Sequence, residues 1–169
     1  MLNRMFGVLK LDVNTFEEVE KDQDATVQAG IVVLLAAIVG GVGSGLGGSL
    51  FGDGSFFSGF ISTLLGAIIG WLLWSVVSYF VGTSFFGGQA DLGQMLRVVG
   101  FAYTPQLLAI IPCIGGAIGA IWSLVAGFIA IRQGLDLDNA KAFLTTVIGF
   151  IAYVIVISLL NFVTGAFSF

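Results

Sequence analysis

The chain reads as an all-α, polytopic membrane protein: a bundle of five transmembrane helices preceded by an amphipathic N-terminal helix. Three observations predict this. Charged residues make up 9 % of the 169 residues and apolar ones 57 %, against about 25 % charged in ordinary soluble domains. Charge is absent from 25–52, 54–90, 98–131 and 142–169, and a helix needs only about 20 residues to cross hydrocarbon. All six Lys and Arg (Arg4, Lys10, Lys21, Arg97, Arg132 and Lys141) fall in segments that five spans place on one side of the membrane.

The first 26 residues form a polar arm, separate from a membrane domain over 27–169. Leu2, Met5, Phe6 and Leu9 follow i, i+3, i+4, i+7, the stripe of an amphipathic helix, which Arg4 and Lys10 fit for the headgroup layer. Thr15-Phe-Glu-Glu18 has the pattern of a capping box, so a second, acidic helix is expected to begin there, with Glu17 and Lys21 paired at i, i+4. Residues 1–24 carry nine charges and no apolar run of the kind a cleaved signal peptide requires.

The spans come in order at about 27–49, 57–81, 98–111, 115–131 and 142–163. Gly87-Gly88 supplies a turn after the second, and Pro112 with Gly115 and Gly116 breaks 98–131 into two legs. Both legs are short for a full crossing at about 1.5 Å per residue, so three spans plus a re-entrant hairpin is the alternative. Asp138, with Asn139 as competitor, is placed to cap the last span. With the N-terminus cytoplasmic, 1–26, 84–97 and 132–141 are inside and hold every Lys and Arg. The outer segments 50–56, 112–116 and 164–169 hold none. The positive-inside rule then puts the N-terminus in the cytoplasm and the C-terminus outside.

Lipid gives helices no hydrophobic reason to associate, so small residues that admit close backbone approach are expected at the contacts. Three rows have this spacing: Ala36, Gly40, Ser44 and Gly48; Ser58, Ser62, Gly66 and Gly70; Gly115, Gly119, Ser123 and Gly127. Trp71, Trp74 and Trp122 fall mid-span.

Little in the chain points to catalysis. There is no His, and the lone Cys113 has neither a disulfide partner nor metal-ligand company. No catalytic, cofactor-binding or metal site is expected. Gly43-Ser-Gly-Leu-Gly-Gly48 fits G-x-G-x-x-G only literally, because no strand precedes it. No basic patch suggests nucleic acid. The absence of an ionisable residue within the spans argues against proton coupling. The polar exception is Gly100-Phe-Ala-Tyr103-Thr104-Pro105-Gln106, where Pro105 removes a backbone donor and frees a carbonyl one turn back. Thr104, Gln106 or a neighbouring helix can satisfy that carbonyl. Gly100, Tyr103, Thr104, Pro105, Gln106, Pro112 and Asn161 are therefore the candidate intramembrane kink or pocket residues.

Thr15-Phe-Glu-Glu18, Arg97-Val-Val-Gly-Phe-Ala-Tyr-Thr-Pro105, Pro112 to Trp122, and Gln133-Gly-Leu-Asp-Leu-Asp-Asn-Ala-Lys-Ala142 stand in an order that resembles the Yip family, in its prokaryotic branch. These are small membrane proteins named for interaction with Ypt/Rab GTPases. The resemblance implies five spans and a cytoplasmic N-terminus, and a plasma (inner) membrane location in a prokaryote. The arm here is short and lacks the longer acidic and aromatic motifs of eukaryotic relatives, so their Rab-linked role does not carry over directly. The expected function is a non-enzymatic membrane adaptor or scaffold in membrane organisation or trafficking-like processes. Its partners would be the lipid bilayer and other membrane or cytoplasmic proteins; no oligomeric state is indicated. Two alternatives are an accessory subunit of a respiratory or photosynthetic membrane complex, and a small-solute channel or carrier built on Tyr103–Gln106.

Overall fold

The computed structural model describes residues 1–51, 55–111 and 114–166, and the side chains within them other than those of 47, 48, 50, 51 and 160–166. Among the described residues there are seven α-helices, one 3-10 segment and no strand. The elements are α1 (Leu2–Leu9), α2 (Val13–Lys21), α3 (Ala25–Phe51), α4 (Phe56–Phe86), α5 (Leu92–Phe101), the 3-10 segment η1 (Thr104–Ile110), α6 (Gly115–Gly134) and α7 (Asn139–Ala166). Four helices, α3, α4, α6 and α7, are long and apolar enough to cross a membrane. The chain is a multi-pass integral membrane protein.

The expected third span, 98–111, is not a continuous helix, which corrects the five-helix reading. α5 stops at Phe101 and the chain continues as η1. The cause is Pro105: it has no N–H for the Phe101 carbonyl, and it disfavours α geometry at Thr104. Thr104 Oγ1 donates to the Phe101 carbonyl at 2.6 Å, so the freed acceptor is satisfied locally. α6, the second leg, is long and apolar enough to cross. The end of α6 lies beside the end of α4, where Gln89 N–H donates to the Leu135 carbonyl at 3.0 Å. The start of α6 packs on η1 at Leu108 and Ile111. At about 1.5 Å per residue in α5 and about 2.0 Å in η1, the two in series extend roughly 29 Å.

α3 and α4 form a close antiparallel hairpin, but its tight points lie beside the predicted rows. A β-carbon on Gly45 would stand 2.8 Å from the Phe56 carbonyl oxygen, and one on Gly59 would stand 3.0 Å from that of Ser44. Gly41 is similarly pressed against Phe60. Gly40 has only ordinary contact with Thr63, and Gly66 has nothing within 4 Å. Ser44 Oγ sits 2.6 Å from Thr63 Oγ1 and joins the pair by a hydrogen bond. On α6, Gly115 and Gly119 lie against η1 and Gly127 lies under the Trp74 ring. α4 ends at Gly87, whose φ of 72° is the left-handed geometry glycine adopts freely.

The arm folds over the end of this bundle. Val8, Phe16 and Val19 are fully buried with Ala25, Met95, Val98 and Leu135. The α1 stripe is split: Met5 and Val8 face the protein, while Leu2 and Phe6 are exposed on the outside. α2 starts earlier than the capping-box pattern suggests. Its cap is Asp12, which accepts from Asn14 N–H at 3.1 Å and from Thr15 Oγ1 at 3.0 Å; Thr15 is inside the helix. Leu11, between the two helices, holds φ 57°, a left-handed conformation that costs a non-glycine residue about 1–2 kcal/mol.

Candidate functional site

Two constellations stand out. The first is a clasp at the arm. Asp91 begins α5 with a full capping box: its carboxylate accepts from Gln94 N–H, and the Gln94 side chain accepts from Asp91 N–H. This sets the register that turns Arg97 beneath α2. Arg97 is 6 % exposed. Its Nε and Nη2 donate to the Glu20 carbonyl at 3.1 and 2.7 Å, and Nη1 reaches Thr26 Oγ1 at 3.4 Å. A guanidinium there meets the last carbonyls of a helix, where the helix dipole favours a cation. Gln94 Nε2 donates to the Glu20 carboxylate at 2.9 Å. Burial raises the Glu20 carboxyl above its ordinary value, with Asp136 and Glu17 adding to the rise and Lys21 and Arg97 opposing it.

Further contacts tie the arm down. Gln133 Nε2 donates to Glu17 at 3.1 Å, and Trp122 Nε1 donates to the Leu9 carbonyl at 3.0 Å. Arg4 bridges Glu18 and Asp22, each at 2.7 Å. The Glu18 hydrogen bond is the largest influence raising Arg4, and the Arg4 hydrogen bond is the largest lowering Asp22. Lys21 meets Glu17 at 3.8 Å. Asp138 caps α7 by accepting from the N–H groups of Ala140 and Lys141.

The second constellation is a cavity of about 680 Å³ bounded by α4, the α5–η1 break, α6 and α7. Of the sequence-predicted kink residues, Tyr103 and Gln106 line it. Thr104 and Pro105 are buried and form the break itself. Gly100 lies away from the cavity, where α5 approaches Ala29 and Trp71. Pro112 lies outside the described residues. Asn161 is on α7 but outside the described side chains.

Trp74, Ser123 and Tyr153 join Tyr103 and Gln106 in the lining. Tyr103 and Tyr153 converge on Gly70, where any β-carbon would strike the Tyr153 ring at 2.5 Å. Gly66 forms open wall. Trp74 Nε1 and Ser123 Oγ are buried without a hydrogen-bond partner, as are Ser75 Oγ and Ser78 Oγ on α4. An unsatisfied buried group of this kind costs about 1–3 kcal/mol. Among the described residues, no Asp, Glu, Lys or Arg lines the cavity.

Both constellations lie within residues 6–160, which match the family model described as Yip1 domain. The chain belongs to the Yip1 domain family. No curated protein and no solved structure matches it. In this Yip1 domain the match takes in most of the arm, the clasp and all four long apolar helices.

Sequence alone puts Arg97 in a solvated loop and so misses the clasp. The available signal was Asp91-Leu-Gly-Gln94, an N-cap with Gln three residues later, which starts a helix before Arg97. Trp74 and Ser123 carried no such signal, because their roles depend on which helices surround them.

Proposed function

We propose that this Yip1 domain is a non-enzymatic membrane adaptor whose arm and adjoining loops form one cytoplasmic docking platform. The observation that carries the reading is the arm's fixation. The Arg97–Glu20 clasp, the Gln133–Glu17 bond and the Trp122–Leu9 bond join α1 and α2 to α5 and α6, so the arm presents a defined surface rather than a loose tail. Glu18, Asp24, Asp91, Asp136 and Asp138 are exposed around it, which suits a soluble protein partner with a basic face. The six cations of the chain support a cytoplasmic location for this end. In this reading the α5–η1 pair serves as a broken fifth crossing, and the C-terminus is extracytoplasmic. Leu2 and Phe6 on α1 reach into the headgroup layer.

The test is photo-crosslinking in native membranes from a probe amino acid at Glu18. A discrete soluble partner that is lost when Asp24 and Asp136 are both changed to Lys is the expected result. Crosslinks to integral membrane subunits at fixed stoichiometry would replace the adaptor with an accessory-subunit role.

A further inference from the structure

We propose that the cavity between α4, the α5–η1 break, α6 and α7 binds an uncharged lipid with ester or hydroxyl oxygens, of the diacylglycerol class. Three observations converge on this chemistry. The first is hydrogen-bonding capacity left over inside an apolar bundle. Ser123 is 4 % exposed and Trp74 7 %, both line the cavity, and neither Ser123 Oγ nor Trp74 Nε1 has a partner. Thr83, Thr145 and Thr146 on these helices bond the carbonyl one turn back, of Tyr79, Lys141 and Ala142, whereas Ser75, Ser78 and Ser123 do not. Of these three serines only Ser123 is in the described lining of the cavity. Trp74 Nε1 lies on the α7 side, against Gly149.

The second is the absence of charge. Among the described residues no Asp, Glu, Lys or Arg faces the space, so an anionic or cationic headgroup would enter hydrocarbon uncompensated. The third is shape and access. A volume of about 680 Å³ falls in the range of about 300–1,000 Å³ typical of small-molecule sites. The rim carries Leu65, Leu124 and Phe150, all exposed on the outer apolar surface of the bundle, which puts the mouth where acyl chains are. The glycerol end would meet Ser123, with Tyr103, Tyr153 and Gln106 in the same lining. The acyl chains would leave over the apolar rim.

The proposal stands independently of the adaptor reading. The test uses the full-length protein in nanodiscs and a diacylglycerol whose acyl chain carries a photoreactive and a clickable group. A phosphatidic acid of identical chains is the charged control. Adducts of the diacylglycerol are expected on peptides that contain Tyr103, Ser123 or Tyr153, several-fold above the phosphatidic acid. Gly66→Leu places a side chain in open wall without a clash, so it leaves the melting temperature unchanged and lowers labelling at least tenfold. Ala120→Phe blocks the space from the α6 side with the same effect. Ser123→Ala keeps the shape and lowers labelling about two- to tenfold, the loss of one hydrogen bond. Equal labelling by phosphatidic acid, unchanged labelling in both blocking variants, or adducts confined to outward residues such as Leu72 and Phe80 would each overturn it.

Discussion

Arg97→Met tests the clasp most directly. The substitution removes two hydrogen bonds to the Glu20 carbonyl, at 3.1 and 2.7 Å, and a long one to Thr26. A hydrogen bond from a charged donor is worth about 1.5–3 kcal/mol, and an orphaned buried carbonyl costs about 1–3 kcal/mol. Against this, the variant no longer has to desolvate a guanidinium that is 6 % exposed. The two donors also share one oxygen, so their worth is less than twice a single bond. A net loss of about 2–4 kcal/mol in arm docking results, which at 1.4 kcal/mol per tenfold is roughly 30- to 1,000-fold. Hydrogen exchange in nanodiscs reads it. The amides of Val13–Lys21 should gain exchange by that factor while those of α3, α4, α6 and α7 stay protected. Arg132→Met is the control: its bonds go to Gln133 and Asn139 at the surface, and a change within about 0.5 kcal/mol is expected. Wild-type exchange throughout α2 in Arg97→Met would refute the clasp.

Arm docking should also respond to pH through Glu20. Its carboxyl is raised by burial in the docked state, so its contribution is fully present below the ordinary carboxylate value and is lost as pH rises through the raised one. Asp22 is lowered by Arg4 and acts oppositely, its contribution fading as pH falls through the lowered value. Exchange of α2 measured against pH in Glu20→Gln should keep only the acid-side loss. Gly59→Val presses a side chain on the Ser44 carbonyl and Gly45 backbone; it should cost about 1–3 kcal/mol, read as a lower melting temperature in detergent, whereas Gly43→Val, with nothing within 4 Å, should not. Trp122→Phe deletes the bond to the Leu9 carbonyl and should loosen α1 by about 0.5–1.5 kcal/mol, seen as faster proteolysis of the arm.

The long apolar helices were legible because lipid solvent imposes a plain compositional rule: charge-free runs of sufficient length. α3, α4, α6 and α7 fall where those runs fall. The broken leg was half legible. Pro105 announced a disturbance, but whether the helix resumes after a proline depends on what satisfies the freed carbonyl, and Thr104 does so in a way that favours a 3-10 continuation. The α6 contacts with η1 and Trp74 fall at Gly115, Gly119 and Gly127, while the tight points of the α3–α4 seam are Gly41, Gly45 and Gly59, beside Ser44. The i, i+4 pattern fixes a face only when few glycines compete for it, and this chain has 25. Arg97 was illegible as a buried residue, since single-sequence reasoning assigns lone cations near spans to water.

The clasp and the cavity share one short element. Met95 and every residue of α5 from Arg97 to Phe101 are buried, and Gly100 presses the helix against Ala29 and the Trp71 indole, whose Nε1 also holds the Leu96 carbonyl at 2.9 Å. Rotation of α5 would therefore break contacts on every side, and the helix can respond to load at Arg97 only as a unit. The compliant part is η1. It has the poorer hydrogen bonds of 3-10 geometry, and the junction with α5 is held by Tyr103 N–H on the Gly100 carbonyl and Thr104 Oγ1 on the Phe101 carbonyl. The clasp and the cavity thus meet in one continuous stretch, with Arg97 on α5 and Tyr103 and Gln106 at its junction with η1.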